Sequence, residues 1–79
     1  MSNFLYPIVN KRITEKISYT TEGLEEYHGW ANVGSASSSE VWLICKKIYN
    51  ASMQVTDIKW ANKGRFVSEW DVKGSLNYE

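Results

Sequence analysis

The sequence predicts an all-β fold, a small antiparallel β-sandwich or barrel of about five to seven strands. Three observations carry that expectation. Residues 40–60 hold two runs rich in β-branched and aromatic side chains on either side of Asn50-Ala51-Ser52, the pattern of one long β-hairpin. Turn signals recur near Glu22-Gly23, Gly34, Asn50, Asn62-Lys63-Gly64 and Lys73-Gly74, about a dozen residues apart, which suits strands joined by short turns better than a βαβ arrangement. Four Trp, five Tyr and two Phe among 79 residues give a small chain the rings it needs to bury enough surface.

In chain order, residues 1–12 form an expected extended N-terminal arm or edge strand, and residues 13–79 one β domain. Phe4, Leu5, Tyr6, Ile8 and Val9 make the arm apolar, and Pro7 cannot donate a ladder hydrogen bond, which keeps the segment at an edge. An apolar arm either tucks onto its own core or docks on a neighbour, so these five residues are candidate partner contacts. Between residues 13 and 21, Ile13, Ile17 and Tyr19 alternate with Thr14, Lys16 and Ser18, a strand period broken at Glu15. Residues 24–32 resume with Tyr27 and Trp30, and strand or irregular structure is preferred there to a helix.

Residues 33–39, Val-Gly-Ser-Ala-Ser-Ser-Ser, form a low-complexity loop, since serine side chains compete for nearby backbone groups. Contacts with partners concentrate on loops, which makes Ser35, Ser37 and Ser38 further candidate contacts. In the hairpin, Trp42, Ile44, Lys46 and Ile48 share one face, and Leu43, Cys45, Lys47 and Tyr49 the other. Both faces begin apolar, which predicts a central strand covered on both sides. Two more strands are expected, at residues 65–70 and 75–78. The candidate core is Trp42, Ile44, Ile48, Trp60, Phe66 and Trp70. The pentapeptide Trp-Ala-Asn-x-Gly occurs at 30–34 and again at 60–64, a recurring strand-to-turn device.

Nine basic and nine acidic residues cancel, so no whole-chain field draws the protein to nucleic acid or an anionic membrane. Residues 46–65 are basic, whereas Glu22, Glu25, Glu26 and Glu40 make the preceding segment acidic. Cys45 stands alone, which rules out an intrachain disulfide and points to a small apolar role in a reducing compartment. The first ten residues lack the charged and long apolar regions of a secretory leader, and no apolar run approaches the ~20 residues of a membrane helix.

His28 is the single histidine, Glu25 and Glu26 are too close in sequence to form a working carboxylate pair on a strand, and no nucleophile motif or phosphate loop is present. The expectation is a non-enzymatic protein with no cofactor, no metal and no small-molecule ligand. Trp42 and Trp60 with Lys46, Lys47, Lys59 and Arg65 would supply a nucleic-acid groove, but the aromatics fall on the apolar sides of their strands.

The residues from Tyr27 onward resemble a family of small proteins encoded by tailed bacteriophages. The shared pattern is Tyr27-His28-Gly29-Trp30-Ala31-Asn32-Val33-Gly34-Ser35-Ala36-Ser37-Ser38, Trp42-Leu43-Ile44 with Lys46-Lys47-Ile48, Lys59-Trp60-Ala61, Phe66, Trp70-Asp71 and Ser75-Leu76-x-Tyr78. It covers about two-thirds of the chain, and Asn50-Ala51-Ser52 and Asn62-Lys63-Gly64 depart from the acidic, glycine-rich turns usual in that family. The resemblance implies a virion component: a neck, tail, fibre-attachment or capsid-decorating subunit in contact with other phage structural proteins or with copies of itself, many copies multiplying weak contacts. The alternative is a soluble β-barrel binding module made during infection that binds a host protein or single-stranded nucleic acid.

Overall fold

A computed structural model of the protein describes residues 12–79. The candidate contacts Phe4, Leu5, Tyr6, Ile8 and Val9 lie outside the described residues. Four strands, β1 (Ile13–Tyr19), β2 (Glu25–Asn32), β3 (Leu43–Tyr49) and β4 (Val55–Trp60), form one antiparallel sheet in the order β1-β2-β3-β4. The all-β expectation holds. Among the described residues, however, the sheet has four strands and does not close on itself.

Each link of this meander is built from local chemistry. The β1–β2 turn is closed by the backbone bond from Thr20 N to Leu24 O (2.7 Å) and by the Thr20 hydroxyl, which accepts from Leu24 N (3.2 Å); Gly23 takes a left-handed φ of 88°. The β3–β4 turn repeats this plan. The Asn50 side-chain oxygen accepts from the backbone nitrogens of Ser52 and Gln54 at 2.9 and 3.0 Å, and Met53 occupies the left-handed position with φ 62°. A register shift follows in each hairpin. Tyr19 pairs with Glu25 although Ser18 pairs with Tyr27, and Tyr49 pairs with Val55 although Ile48 pairs with Asp57. Glu26 and Thr56 are therefore the extra residues of two β-bulges.

Pairing partners point to the same side of a sheet, so the registers Gly29↔Ile44, Tyr27↔Lys46 and Thr14↔Ala31 define one face. Residues 61–79 cover that face. Ser68 forms a two-way bridge with Trp42 (2.9 and 3.1 Å), Tyr78 bridges Ala61, and a 3₁₀ segment, Trp70–Ser75, lies between them. Residues 65–70 and 75–78 are thus single bridges around a 3₁₀ turn, where two strands were expected. The tight turn at Asn62–Gly64, in which Asn62, Lys63 and Gly64 all have positive φ, redirects the chain from β4's edge onto the face.

The core sits between this face and its C-terminal cover. Ala31, Trp42, Ile44, Ala61 and Trp70 are buried, with Tyr27, Leu76 and Tyr78 packed around them. Trp42 and Trp70 meet at a tilted 6.0 Å. Burying two indoles removes on the order of 300–500 Å² from water, a gross gain of about 8–12 kcal/mol before chain entropy is counted. Ser68 is the buried polar residue, and its hydroxyl is satisfied by Asn62 Nδ2 at 2.7 Å. The Tyr78 hydroxyl donates to Lys73 O (2.8 Å), and burial pushes its ionisation well above the ordinary value of 10.0.

Trp42, Ile44 and Trp70 of the candidate core are buried as expected. Ile48 is half-buried, Trp60 is half-buried, and Phe66 is 52% exposed. For Trp60 and Phe66 the reason is register. Trp60 pairs with Cys45, which places it on the side opposite Trp42, and Phe66 lies against the same side. On the second side of the central strand β3, Cys45 is buried and Leu43 half-buried, and among the described residues no further layer lies over them.

Candidate functional site

The second face of the sheet carries Ile13 and Ile17 from β1, His28 and Trp30 from β2, Leu43 and Cys45 from β3, and Ile58 and Trp60 from β4. Among the described residues nothing covers it. Ile13, Ile17 and Ile58 are 37–50% exposed. Single exposed apolar residues are ordinary on any protein, but a face that is apolar on all four strands, exposed at Ile13, Ile17 and Ile58 and half-buried at Trp30, Leu43 and Trp60, is not.

The face is organised by three stacked rings. His28 lies on Trp30 with ring centres 4.1 Å apart and planes 13° from parallel, and Trp30 stacks in turn with Trp60 at 6.0 Å. Trp30, Trp60, Ile13, Leu43 and Phe66 line a shallow apolar groove of about 350 Å³. A second hollow of about 420 Å³, lined by Leu43, Trp60, Lys63, Gly64 and Glu79, shares two walls with it. Cys45 is buried in this face, and burial pushes its thiol above the ordinary value of 9.0. That makes it a packing residue.

Polar groups close the other end of the face. A carboxylate only accepts, so His28 Nε2 donates to Glu15 Oε1 at 2.8 Å. Glu25 Oε1 lies 3.7 Å from His28 Nδ1 and accepts from Lys47 Nζ at 2.7 Å. The Lys47 hydrogen bond, working against desolvation, holds the Glu25 carboxyl below its ordinary 4.5, and the same bond holds Lys47 above 10.5. The β2 bulge brings Glu25 to this side, and Glu25 O also accepts from the Tyr49 hydroxyl at 2.6 Å. The acidic and basic stretches of the sequence are therefore joined within one chain.

The serine-rich loop serves the fold. Ala36 O accepts from the Trp42 indole nitrogen at 3.0 Å, Ser37 O accepts from Asp71 N at 3.1 Å, and Ser35 N donates to Asn32 O at 3.1 Å. Ser35 and Ser37 are half-buried and Ser38 is exposed, and the described lining of the groove includes none of the three. Sequence reasoning singled out neither Trp30 nor Leu43 nor Ile13. The signal that finds the two tryptophans is the repeated pentapeptide. In both copies Ala is fully buried beneath the C-terminal cover, Gly takes a left-handed φ (93° at Gly34, 75° at Gly64), and Trp is turned to the opposite face.

Among the described residues no cluster of three or more metal-ligating side chains is present, and no helix is long and apolar enough to cross a membrane. Compared with known protein families, with curated proteins and with solved structures, the chain matches none.

Proposed function

We propose that this chain is a non-enzymatic assembly subunit whose uncovered aromatic sheet face docks on protein, and that its setting is a tailed-phage particle, as the resemblance implies. One observation carries the reading. The groove formed by Ile13, Trp30, Leu43, Trp60 and Phe66 stays accessible although the opposite face of the same sheet is sealed. An apolar strip of this kind flanked by polar residues is the signature of an interaction surface. The polar groups beside it already satisfy one another through Glu15–His28 and Glu25–Lys47, so a partner can cover them without stranding a charge. The position in the particle, at neck, tail, fibre attachment or capsid surface, follows from which repeated lattice the face fits, and the partners are other structural proteins or further copies of this chain.

Single-stranded nucleic acid is the competing occupant, because His28, Trp30 and Trp60 offer flat rings to a base. The charges around the rings oppose it. Glu15 accepts from His28, Glu79 lines the second hollow with Lys63, and Lys47 is already engaged by Glu25. Lys46 and Lys59 pair with each other on the other face.

The experiment compares the wild-type chain with Trp60→Ser in sedimentation and in incorporation into purified particles, with mass spectrometry as readout. Loss of assembly with an unchanged circular dichroism spectrum supports the docking face. Full incorporation of the variant refutes it, and a salt-dependent shift of a labelled oligonucleotide that Trp60→Ser abolishes replaces protein by nucleic acid.

A further inference from the structure

We infer that covering the aromatic face takes up a proton at His28, so that docking strengthens as the solution turns acid. The inference rests on the reading of that face as a docking surface and names the condition that regulates it.

The His28 imidazole lies flat on Trp30, and a carboxylate oxygen faces each of its nitrogens: Glu15 Oε1 at 2.8 Å from Nε2 and Glu25 Oε1 at 3.7 Å from Nδ1. A carboxylate only accepts, and a neutral imidazole has one N–H. While Nε2 donates to Glu15, the neutral ring therefore turns the lone pair of Nδ1 toward a second acceptor. Protonation gives Nδ1 an N–H aimed at Glu25, and one ring then serves both carboxylates.

The charges around the ring lead to the same form. β1 contributes Glu15 and β2 Glu25, whereas Lys16 pairs with Gly29 on the sealed side and Glu26 acts on Tyr78 there. β3 contributes Lys47, 2.7 Å from Glu25, and Cys45, whose buried thiol keeps its proton. On β4, Asp57 and Lys59 pair with Ile48 and Lys46, which puts them on the sealed side as well. Lys63 and Glu79 lie at the other end of the face, beside the second hollow. With His28 neutral, Glu15 and Glu25 stand against Lys47 alone and leave one negative charge in surplus. With His28 protonated the group is balanced.

Water solvates that surplus in the free chain, since the Glu15 side chain is 47% exposed. An apolar partner laid over Trp30 displaces the water, and an unbalanced charge is costly without it. The Glu15–His28 and Glu25–Lys47 pairs thus leave no charge stranded under a partner only when His28 carries its proton. Covering the face favours the protonated ring, and by linkage acid favours the covered face. Histidine is the side chain whose charge changes near neutrality, and His28 is the only one in the chain. Where the docked face holds the proton and the free face does not, affinity rises by up to about tenfold for each pH unit of acidification.

The test measures, by sedimentation between about pH 7.5 and 5.5, the docking of the full-length chain on purified particles and on itself. Wild type, His28→Gln, Glu15→Gln and Trp60→Ser are compared, with circular dichroism at each pH as the control for folding. Wild-type docking is expected to strengthen severalfold or more across the range, and His28→Gln to dock without a pH slope. Glu15→Gln removes the surplus charge and keeps an acceptor for Nε2, so it is expected to dock at the neutral end about as tightly as wild type at the acid end. If His28→Gln loses its fold, Glu15→Gln decides. Wild-type docking that is level across the range overturns the inference, as does a slope that either variant retains in full. If the slope is absent while Trp60→Ser still blocks docking, the inference falls and the docking face stands. If Trp60→Ser docks like wild type, or wild type docks on neither at any pH, the docking face itself falls and the inference with it.

Discussion

Replacing Gly29 by Ala tests the layer arrangement on which every functional statement depends. Gly29 sits in β2 on the sealed face, and a Cβ placed there would come within 2.7 and 2.8 Å of two ring atoms of Trp70 and within 3.3 Å of Trp42. Real Cβ atoms do not approach so closely, and Trp70 is only 8% exposed, with little freedom to swing away. Overpacking of this kind costs about 1–3 kcal/mol. A 79-residue chain holds roughly 4–12 kcal/mol in all. At about 4–8 °C per kcal/mol for a domain of this size, Gly29→Ala lowers the melting temperature by several degrees and shifts the urea midpoint down at unchanged slope. Trp70→Ala alone is expected to cost about 3–5 kcal/mol, and the double variant should cost no more than Trp70→Ala, because the atoms that clash are gone. Gly29→Ala that is as stable as wild type, or a double variant whose costs simply add, would refute the packing of Trp70 over β2 and with it the assignment of the sealed face.

Three other outcomes follow from particular residues. Met53 holds a left-handed φ of 62° that a side chain pays to adopt, so Met53→Gly should raise stability by about 0.5–1 kcal/mol in urea unfolding. The Glu25–Lys47 pair contributes fully above pH 4.5, where Glu25 is ionised in both states, and is lost as pH falls through the lowered folded value; at the alkaline end it is present below 10.5 and lost as pH rises through the raised value for Lys47. Glu25→Gln should therefore flatten the loss of stability on acidification from pH 5 downward, measured by urea midpoints against pH, and an unchanged slope would show that the pair carries no linkage. Cys45 is 3% exposed with a raised thiol, so its reaction with a disulfide reagent should track global unfolding across a denaturant series, and fast reaction of the native protein would place it outside the packed sheet.

What the sequence could show was set by how far each signal reaches. The strands at 13–19, 25–32, 43–49 and 55–60 were legible because alternation and turn chemistry are local. The two-way bridge of Ser68 with Trp42 was not legible, because an isolated bridge has no periodicity and residues 65–68 mix Arg, Phe, Val and Ser. The side of the sheet that Trp60 takes depends on a register fixed by the five-residue stretch 50–54 and by the bulge at Thr56, and one residue of slip would have reversed it. Both faces of β3 are apolar, so hydrophobic pattern alone could not say which was the core and which the site. The assignment of Trp60 and Phe66 to the core failed at that point.

The repeated Trp-Ala-Asn-x-Gly unit explains why so small a domain leaves large rings outside. The sealed face accepts Trp42 and Trp70 only because its floor is made of small residues, Gly29, Ala31 and Ala61. A larger residue at any of these three would have to push against the C-terminal cover. On a strand the neighbours of those small residues point the other way, so Trp30 follows Gly29 and Trp60 precedes Ala61 onto the uncovered face. There the two rings stack across β3. Alternation thus sends the sequence neighbours of the small residues to the second face, and in this chain two of those neighbours are Trp30 and Trp60. That placement follows from register and side-chain volume, independently of any resemblance, and it is why the proposed docking surface is sought on the Trp30–Trp60 face.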